Sequence, residues 1–355
     1  MTLKNLPKLL STRDLIKIYN LTAKSQLSQN FILDKNITGE ILRLREGGWI
    51  AVYHKIVKTS QICSDDALVV EVGPGPGLLT RSILETGVSN MVIVEKDKRF
   101  LPILTQLSEV SKGVLKVLHG DILNVDHSLI LQAANITEIP VEGAEGDRLN
   151  CRVHLIGNLP FNIASPLLVQ WMKMLYNREG IFRFPSVSMT LMFQKEVGDV
   201  GINIEYSTEL FLVLIRFKKF KRIVADVEDS RRGRNSVLVQ SLCEAKKVYQ
   251  LPSRVFVPEP KVDAVLIQLK SLPNPVLTVP VNEYEEVVRY FYGKRRKTIH
   301  SALIKLKSKI SPEKFESLTD GIEKLEIDLS LRPEKLTSEQ FCRLTKIFIE
   351  NSIKI

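Results

Sequence analysis

Short apolar runs separated by polar turns recur along the chain, which is the pattern of a parallel sheet with connecting helices. The first run, Leu68–Val72, has four apolar residues and one acid. An apolar run of this length is typical of a strand buried on both faces. Four further runs have the same character: 90–95, 113–121, Arg152–Gly157 and 187–193. Their order predicts a doubly wound α/β sheet with functional groups at the carboxyl ends of its strands.

A hairpin is predicted at the end of this sheet. Its two strands, 249–253 and 263–269, are separated by Pro-Glu-Pro at 258–260. Because a hairpin reverses the chain, the last strand is expected to run antiparallel to the others.

A linker follows the hairpin and separates the sheet from a helical tail. Its prolines are Pro273, Pro275 and Pro280. From Glu283 to the end the apolar positions have helical spacing. We therefore predict two domains, a sheet domain over 1–272 and a small helical domain over 281–355.

Composition narrows the class of protein. The 355 residues are 44% apolar and 25% charged, as in a folded globular protein. No apolar run approaches the roughly 18 residues of a membrane span, so no membrane partner is predicted. Fifty Lys and Arg against 40 Asp and Glu give a net charge of +10, which favours a polyanionic partner such as nucleic acid. A basic protein without such a partner is the alternative.

The cysteines and histidines indicate no metal site. The four cysteines are far apart and form no C-x-x-C pair: Cys63, Cys151, Cys243 and Cys342. They are predicted to be reduced, intracellular and structural. The five histidines are scattered, without the spacing of a metal-binding helix.

A glycine-rich turn follows the first strand. Gly73, Gly75 and Gly77 alternate with prolines before a helix predicted from Leu78. Glycines let the backbone turn sharply and let a ligand approach closely. The spacing of these glycines differs from the dinucleotide G-x-G-x-x-G fingerprint. Glu95 ends the next strand, the position from which a carboxylate accepts hydrogen bonds from ribose hydroxyls in nucleotide-binding folds of this kind. S-adenosylmethionine therefore fits better than NAD; the alternative is a plain turn between core elements.

Asn158, Leu159, Pro160 and Phe161 follow the fourth strand and point to a specific chemistry. The lone pair of an adenine exocyclic amine is delocalised into the ring, which makes methylation difficult. The Asn158 amide oxygen and the carbonyl of Leu159 or Pro160 could accept both N–H bonds and aim the lone pair at a methyl group. Phe161 offers a face on which an unstacked base can lie. An ordinary strand-ending turn is the alternative.

A basic run in the helical tail borders the predicted substrate cleft. Its cations are Lys294, Arg295, Arg296 and Lys297. A charge run is often only a solvated face, but at this position it favours contact with RNA phosphates.

The chain resembles the ribosomal RNA adenine dimethyltransferase family, in particular its mitochondrial branch. The matching motifs occur in family order over nearly the whole chain: QNFILD (29–34), EVGPGPG (71–77), VEKD (94–97), HGD (119–121), GNLPF (157–161), FQKEV (193–197), FVPEPKVD (256–263) and LRPEKL (331–336). The resemblance implies a Rossmann-like class I methyltransferase with a helical tail. It also implies that two adjacent adenines, in a single-stranded loop near the 3′ end of small-subunit rRNA, are each methylated twice.

The resemblance implies roles for individual residues. Asn30 and Ile32 would line the methionine end of S-adenosylmethionine, although the family usually has Leu at position 32. Phe161 would stack on the target base, where many relatives have Tyr, and Phe256 could form a second wall. The other implied cofactor contacts are Gly73, Gly75, Gly77, Glu95, Lys96, Asp121, Ile122 and Asn158.

Residues 200–221 match nothing in the family pattern. Valine codons begin with GT and one lysine codon ends in AG, as intron boundaries do. We hypothesise that a retained intron or a gene-prediction error supplies this segment, so that the working protein lacks it.

Two other classes of protein compete with this interpretation. One is a non-catalytic nucleic-acid-binding factor of mitochondrial transcription or ribosome assembly, but a pure binder needs no full set of catalytic and cofactor residues. The other is a DNA or small-molecule methyltransferase, which the basic tail and Asn-Leu-Pro-Phe disfavour. The basic N-terminus is compatible with an import segment or with a first helix. The resemblance implies a monomer of the mitochondrial matrix that acts on the small ribosomal subunit.

Overall fold

The computed structural model describes residues 48–139, 152–159, 161–194 and 223–355, the last range without 228, 230, 231 and 253–262. The chain divides into two compact units. The first contains residues 1–205 and 246–270, and the second contains 206–245 and 271–355. The helical tail thus shares a unit with chain that precedes the last strands. The domain limits given above remain a prediction.

A seven-stranded sheet forms the first unit, with the strand order β3-β2-β1-β4-β5-β7-β6. The strands are β1 (Leu68–Val72), β2 (Met91–Glu95), β3 (Leu115–His119), β4 (Arg152–Gly157), β5 (Ser186–Gln194), β6 (Cys243–Leu251) and β7 (Ala264–Ser271). The first five strands pair in parallel, and β7 pairs antiparallel with β5. This confirms the predicted fold class.

One predicted strand was misplaced. The sequence predicts the sixth strand at 249–253, whereas β6 runs from Cys243 to Leu251. Strand β6 is at the edge of the sheet, and only its two end residues are buried. It therefore lacks the continuous apolar run by which buried strands were recognised. The predicted hairpin turn at 258–260 lies outside the described residues.

Helices of the first unit cover a sheet whose central strands are buried. They are α1 (Gly48–Ser60), α2 (Leu78–Leu84), α3 (Leu101–Val110), α4 (His127–Ala133) and α5 (Phe161–Asn177). Every residue of β1 and β2 is buried, and Trp171 of α5 is fully enclosed. Short 3₁₀ turns lie at Lys98–Phe100 and Gly180–Arg183.

The second unit is helical apart from the first residues of β6 and the last residue of β7. Its helices are α6 (Arg234–Leu242), α7 (Val281–Tyr292), α8 (Ile299–Ile304), α9 (Pro312–Glu323) and α10 (Ser338–Glu350), with a 3₁₀ turn at Pro333–Lys335. Phe291, Phe341 and Phe348 pack together in its core. Thr337 and Gln340 form a capping box that starts α10. In the described part of the chain, no helix has the length and apolarity to cross a membrane.

Candidate active site

The strand register brings four of the predicted site residues together at the carboxyl ends of neighbouring strands, along one edge of the sheet. Val72, at the end of β1, pairs with Val94 of β2 and with Gly157 of β4. Gly73, Glu95 and Asn158 therefore follow these paired positions on three neighbouring parallel strands. Asp121 comes two residues after β3, whose last residue pairs with Glu95. This edge, at the carboxyl ends of the strands, is where doubly wound folds bind ligands.

The glycine turn has a backbone that other residues adopt only with strain. Gly73, Gly75 and Gly77 have φ angles of 66°, 56° and 81°. A Cβ at Gly73 would have no atom within 4 Å, whereas one at Gly77 would lie 3.1 Å from a methyl group of Leu104. Gly73 thus leaves open space above the turn, and Gly77 permits close packing against α3.

Glu95 joins the end of β2 to the glycine turn. Its Oε2 accepts a hydrogen bond from the Gly75 amide at 2.9 Å, and its Oε1 accepts one from the Asp97 amide at 2.7 Å. Burial raises the pKa of Glu95, although these amide hydrogen bonds act in the opposite direction. The glycine turn and the end of β2 are therefore joined by the Glu95 carboxylate. Together they form one polar surface, called the polar floor below.

Asp121 and Lys96 form an ion pair beside this floor. The Lys96 Nζ lies 2.7 Å from Oδ2 of Asp121, and the Leu123 amide donates to Oδ1. Partial burial acts to raise the pKa of Asp121, but the hydrogen bonds from Lys96 and Leu123 outweigh it, so the pKa is lowered. Asp121 is therefore an ionised acceptor at neutral pH. The next residue, Ile122, is buried.

Asn158 is held against β1 by close packing of the preceding residue. A Cβ on Gly157 would lie 2.9 Å from the Val72 carbonyl oxygen, so β4 approaches β1 more closely here than any larger residue allows. Asn158 is half-buried and Leu159 is buried. Phe161 begins α5. The positions of the Phe161 side chain and of Pro160 lie outside what the structure describes.

The remaining predicted residues fall into two groups. Asn30, Ile32 and Phe256 lie outside the described residues. The four cations at 294–297 occupy the loop between α7 and α8 in the second unit, where Arg296 and Lys297 are exposed. Lys294 lies 3.3 Å above the Tyr290 ring, and Arg295 is 3.7 Å from a Glu334 carboxylate oxygen.

Sequence reasoning missed a buried acid beneath the glycine turn. Glu71 of β1 is 1% exposed and accepts a hydrogen bond of 2.6 Å from the Thr80 hydroxyl of α2. Burial raises its pKa to about 8, with the Thr80 hydrogen bond acting against the shift and Glu95 adding to it. Burial also raises the pKa of Tyr53 on α1, with the Glu71 charge contributing. A lone acid in an apolar strand was the visible signal.

The donor set of this edge fits S-adenosylmethionine. Open space above Gly73 accommodates a ligand close to the backbone. Glu95 and Asp121 place carboxylate acceptors at successive strand ends, as the hydroxyls and amine of a nucleoside require. Within the described ranges, no group of three or more His, Cys, Asp or Glu side chains is arranged to hold a metal ion.

Curated relatives match over nearly the whole chain. The mitochondrial dimethyladenosine transferase 1 of Xenopus laevis is 34% identical over 347 residues, which cover 97% of this chain and 87% of the relative. The human protein of the same name is 34% identical over 343 residues, covering 97% of this chain and 86% of the relative.

Solved structures share the fold. A dimethyladenosine transferase from Plasmodium falciparum superposes with a TM-score of 0.58 at 22% identity, covering 85% of this chain and 97% of that one. The 23S rRNA methyltransferase ErmE gives a TM-score of 0.50 at 20% identity, with coverage of 84% and 96%.

The sequence model described as "Ribosomal RNA adenine dimethylase" matches residues 20–199 and 205–350. The break at 200–204 lies inside residues 200–221, but 205–221 lie inside the match. The prediction that the whole segment is foreign to the family pattern is therefore wrong for 205–221. With relatives above 30% identity along almost the full length, this match confirms the predicted resemblance. The chain belongs to the ribosomal RNA adenine dimethylase family.

Proposed function

We propose that the protein dimethylates two adjacent adenines in a single-stranded loop near the 3′ end of mitochondrial small-subunit rRNA. It uses S-adenosylmethionine and acts as a monomer in the mitochondrial matrix, in support of small-subunit assembly. One observation carries the proposal: in a chain of this family, Gly73, Glu95, Asp121 and Asn158 converge on one edge of the sheet.

The polar floor would hold the cofactor, which supplies a methyl group on a sulfonium when bound. Gly73 leaves the space for it, and Glu95, which accepts from three backbone amides, has acceptor capacity left for a ribose hydroxyl. Asp121, ionised and fixed by Lys96, would accept from the adenine amine. Asn30 and Ile32 would complete the methionine end of the site.

Asn158 would orient the target amine. Its amide oxygen accepts one N–H bond, and the carbonyl of Leu159 or Pro160 accepts the other. This pair of acceptors draws the nitrogen toward tetrahedral geometry and aims its lone pair in line with the methyl group. No general base is needed, because the amine loses its proton after transfer.

The RNA would be held by stacking and by charge. Phe161 stacks on the extruded base, and Phe256 forms a second wall. Unstacking a base costs less free energy in a loop than in a duplex. A single-stranded loop is therefore the favoured target. Of the cations at 294–297, the exposed Arg296 and Lys297 contact phosphates, and these contacts hold the RNA without reading its sequence.

Methyl transfer from labelled cofactor to a hairpin RNA tests the assignment of Asn158. We expect Asn158→Ala to lower the rate roughly 100-fold, the cost of misplacing a reacting group, while RNA affinity is retained. Asn177→Ala is the matched control, because this exposed residue at the far end of α5 bonds only locally to Glu179. Equal incorporation by wild type and Asn158→Ala would remove Asn158 from this role.

We also propose that at least part of 200–221 comes from a retained intron or a gene-prediction error and is absent from the working protein. The break in the family match at 200–204 supports this, whereas the match over 205–221 favours a shorter insertion than the whole segment. Sequencing the transcript is the test. An abundant mRNA that contains all of these codons would overturn the proposal.

A further inference from the structure

The four cations of the basic loop, residues 293–297, differ in their surroundings. Arg296 and Lys297 are exposed, and neither forms an ion pair with another residue in the described part of the chain. Arg295 points toward Glu334, whose side chain is only 13% exposed. The loop therefore presents two cations outward and uses a third as an internal anchor.

Glu334 is carried by a segment, the strap (residues 329–336), that is fixed at both ends. The carbonyls of Leu329 and Leu331 accept hydrogen bonds of 2.9 Å and 2.8 Å from the first two amides of α8. At the other end, the fully buried guanidinium of Arg232 donates to the Leu336 carbonyl. Because α8 begins where the basic loop ends, the strap is tied to the loop through its helix as well as through Glu334.

A polar cluster of Arg232, Tyr292, Arg295 and Glu334 thus lies beneath the loop. The Tyr292 ring stacks on Phe341 in the core at 6.0 Å. Burial raises the pKa of Tyr292 to about 12, and its hydroxyl is close enough to both arginines and to Glu334 to be affected by their charges. Arg232 is 104 residues from its partner Leu336, so the cluster joins distant parts of the chain.

Stability alone does not account for this arrangement. Taking charges out of water costs free energy, and the attraction between Arg295 and Glu334 offsets only a small part of that cost. In some proteins, a partly buried ion pair selects one geometry among several.

We propose that the Arg295–Glu334 pair, fixed by Arg232 through the strap, is a positioning device that orients Arg296 and Lys297 toward the phosphates of the RNA substrate. The inference rests on the proposed function, in which this loop contacts RNA. Arg232, Arg295 and Glu334 are positioning residues and do not touch the reacting atoms.

Glu334→Gln separates positioning from simple charge attraction because the two effects have opposite signs. Removing a negative charge beside a basic loop strengthens attraction to RNA if only the field matters. If Glu334 positions the loop, the Kd for a hairpin RNA rises roughly tenfold, and the slope of log Kd against log salt falls by about one for each lost phosphate contact. The KM for RNA rises likewise, while kcat and cofactor affinity stay unchanged.

Two further variants make the test decisive. Glu339→Gln is the matched control, since it makes the same charge change in the same unit at a residue 61% exposed and paired with Arg343. Arg295→Lys keeps the charge but loses the planar guanidinium, and the same weakening is expected. If Glu334→Gln fails to fold, Arg295→Lys alone tests the positioning role.

Binding by Glu334→Gln or Arg295→Lys as tight as wild type overturns the positioning role. The double variant Arg296→Ala/Lys297→Ala tests the underlying contact. If that variant binds RNA like wild type, the loop contact itself is wrong and the proposed function loses that part. If it weakens binding while Glu334→Gln does not, only the positioning inference fails.

Discussion

At the scale of single residues, Glu71 stands out because it is a carboxyl group buried in an otherwise apolar strand. Its pKa is raised by burial from its ordinary value of 4.5 to about 8. A raised pKa means that the folded state binds the proton more tightly than the unfolded state. The contribution of Glu71 to stability is therefore fully present below pH 4.5 and is lost as the pH rises through about 8.

Glu71→Gln should remove this pH dependence, since glutamine is isosteric, uncharged and still accepts the Thr80 hydrogen bond. Between pH 5 and 9, we expect the free energy of unfolding of wild type to fall relative to the variant by a few kcal/mol at most, at about 1.4 kcal/mol per pKa unit. Urea denaturation at each pH measures it. A constant difference over this range would mean that Glu71 is ionised in the fold.

The positions of site residues could be predicted where they follow directly from the end of a strand. Glu95, Asp121 and Asn158 each end or follow a strand, so their position on a common edge could be derived from the sequence. The partners of Glu71 could not, because Tyr53 and Thr80 reach it from two helices whose packing no local pattern specifies. Burial, which sets its pKa, is a property of the assembled core.

At the scale of elements, a comparison of the glycine turn with a second left-handed glycine distinguishes the cost of backbone strain from the loss of ligand contact. Gly73 and Gly87 have φ angles of 66° and 83°, and a Cβ at either would meet no atom within 4 Å. Alanine at either position should therefore cost a similar roughly 1–2 kcal/mol for a left-handed backbone. Only at Gly73 would the added methyl group enter the space assigned to the cofactor.

We expect Gly73→Ala to bind S-adenosylmethionine at least about tenfold more weakly (1.4 kcal/mol), and Gly87→Ala to bind it as wild type does. Calorimetric titration measures both affinities, and thermal melting checks that the two variants lose comparable stability. Equal cofactor affinity in the two variants would place the cofactor away from Gly73.

Elements were predictable in proportion to their burial. Strands β1 and β4 were found with their observed bounds because nearly every residue of both is buried and each contains several apolar residues. The edge strand β6 was misplaced because its interior is half-buried or exposed. Strand β6 forms because its neighbour β7 offers unpaired backbone groups, and that cause is absent from the residues of β6 itself.

At the scale of the whole molecule, the proline linker indicated a division of the chain but not the composition of the second unit. Residues 223–245 join the helical tail through long-range contacts. Examples are the Ser338 hydroxyl on the Val237 carbonyl and Arg232 on the Leu336 carbonyl. Such pairs lie about a hundred positions apart (101 and 104), beyond the reach of periodicity.

The net charge of +10 leads to a prediction about the whole protein, because charge acts on RNA without reading its sequence. With about four phosphate contacts, the Kd for RNA should rise roughly 50-fold between 50 and 200 mM salt. Asn158→Ala should leave this slope unchanged, since an amide that orients one base releases no counterions. Fluorescence anisotropy over a salt series measures the slope for each variant. A change of slope in Asn158→Ala would mean that binding and chemistry share residues, and a flat salt series would exclude a charge-held RNA altogether.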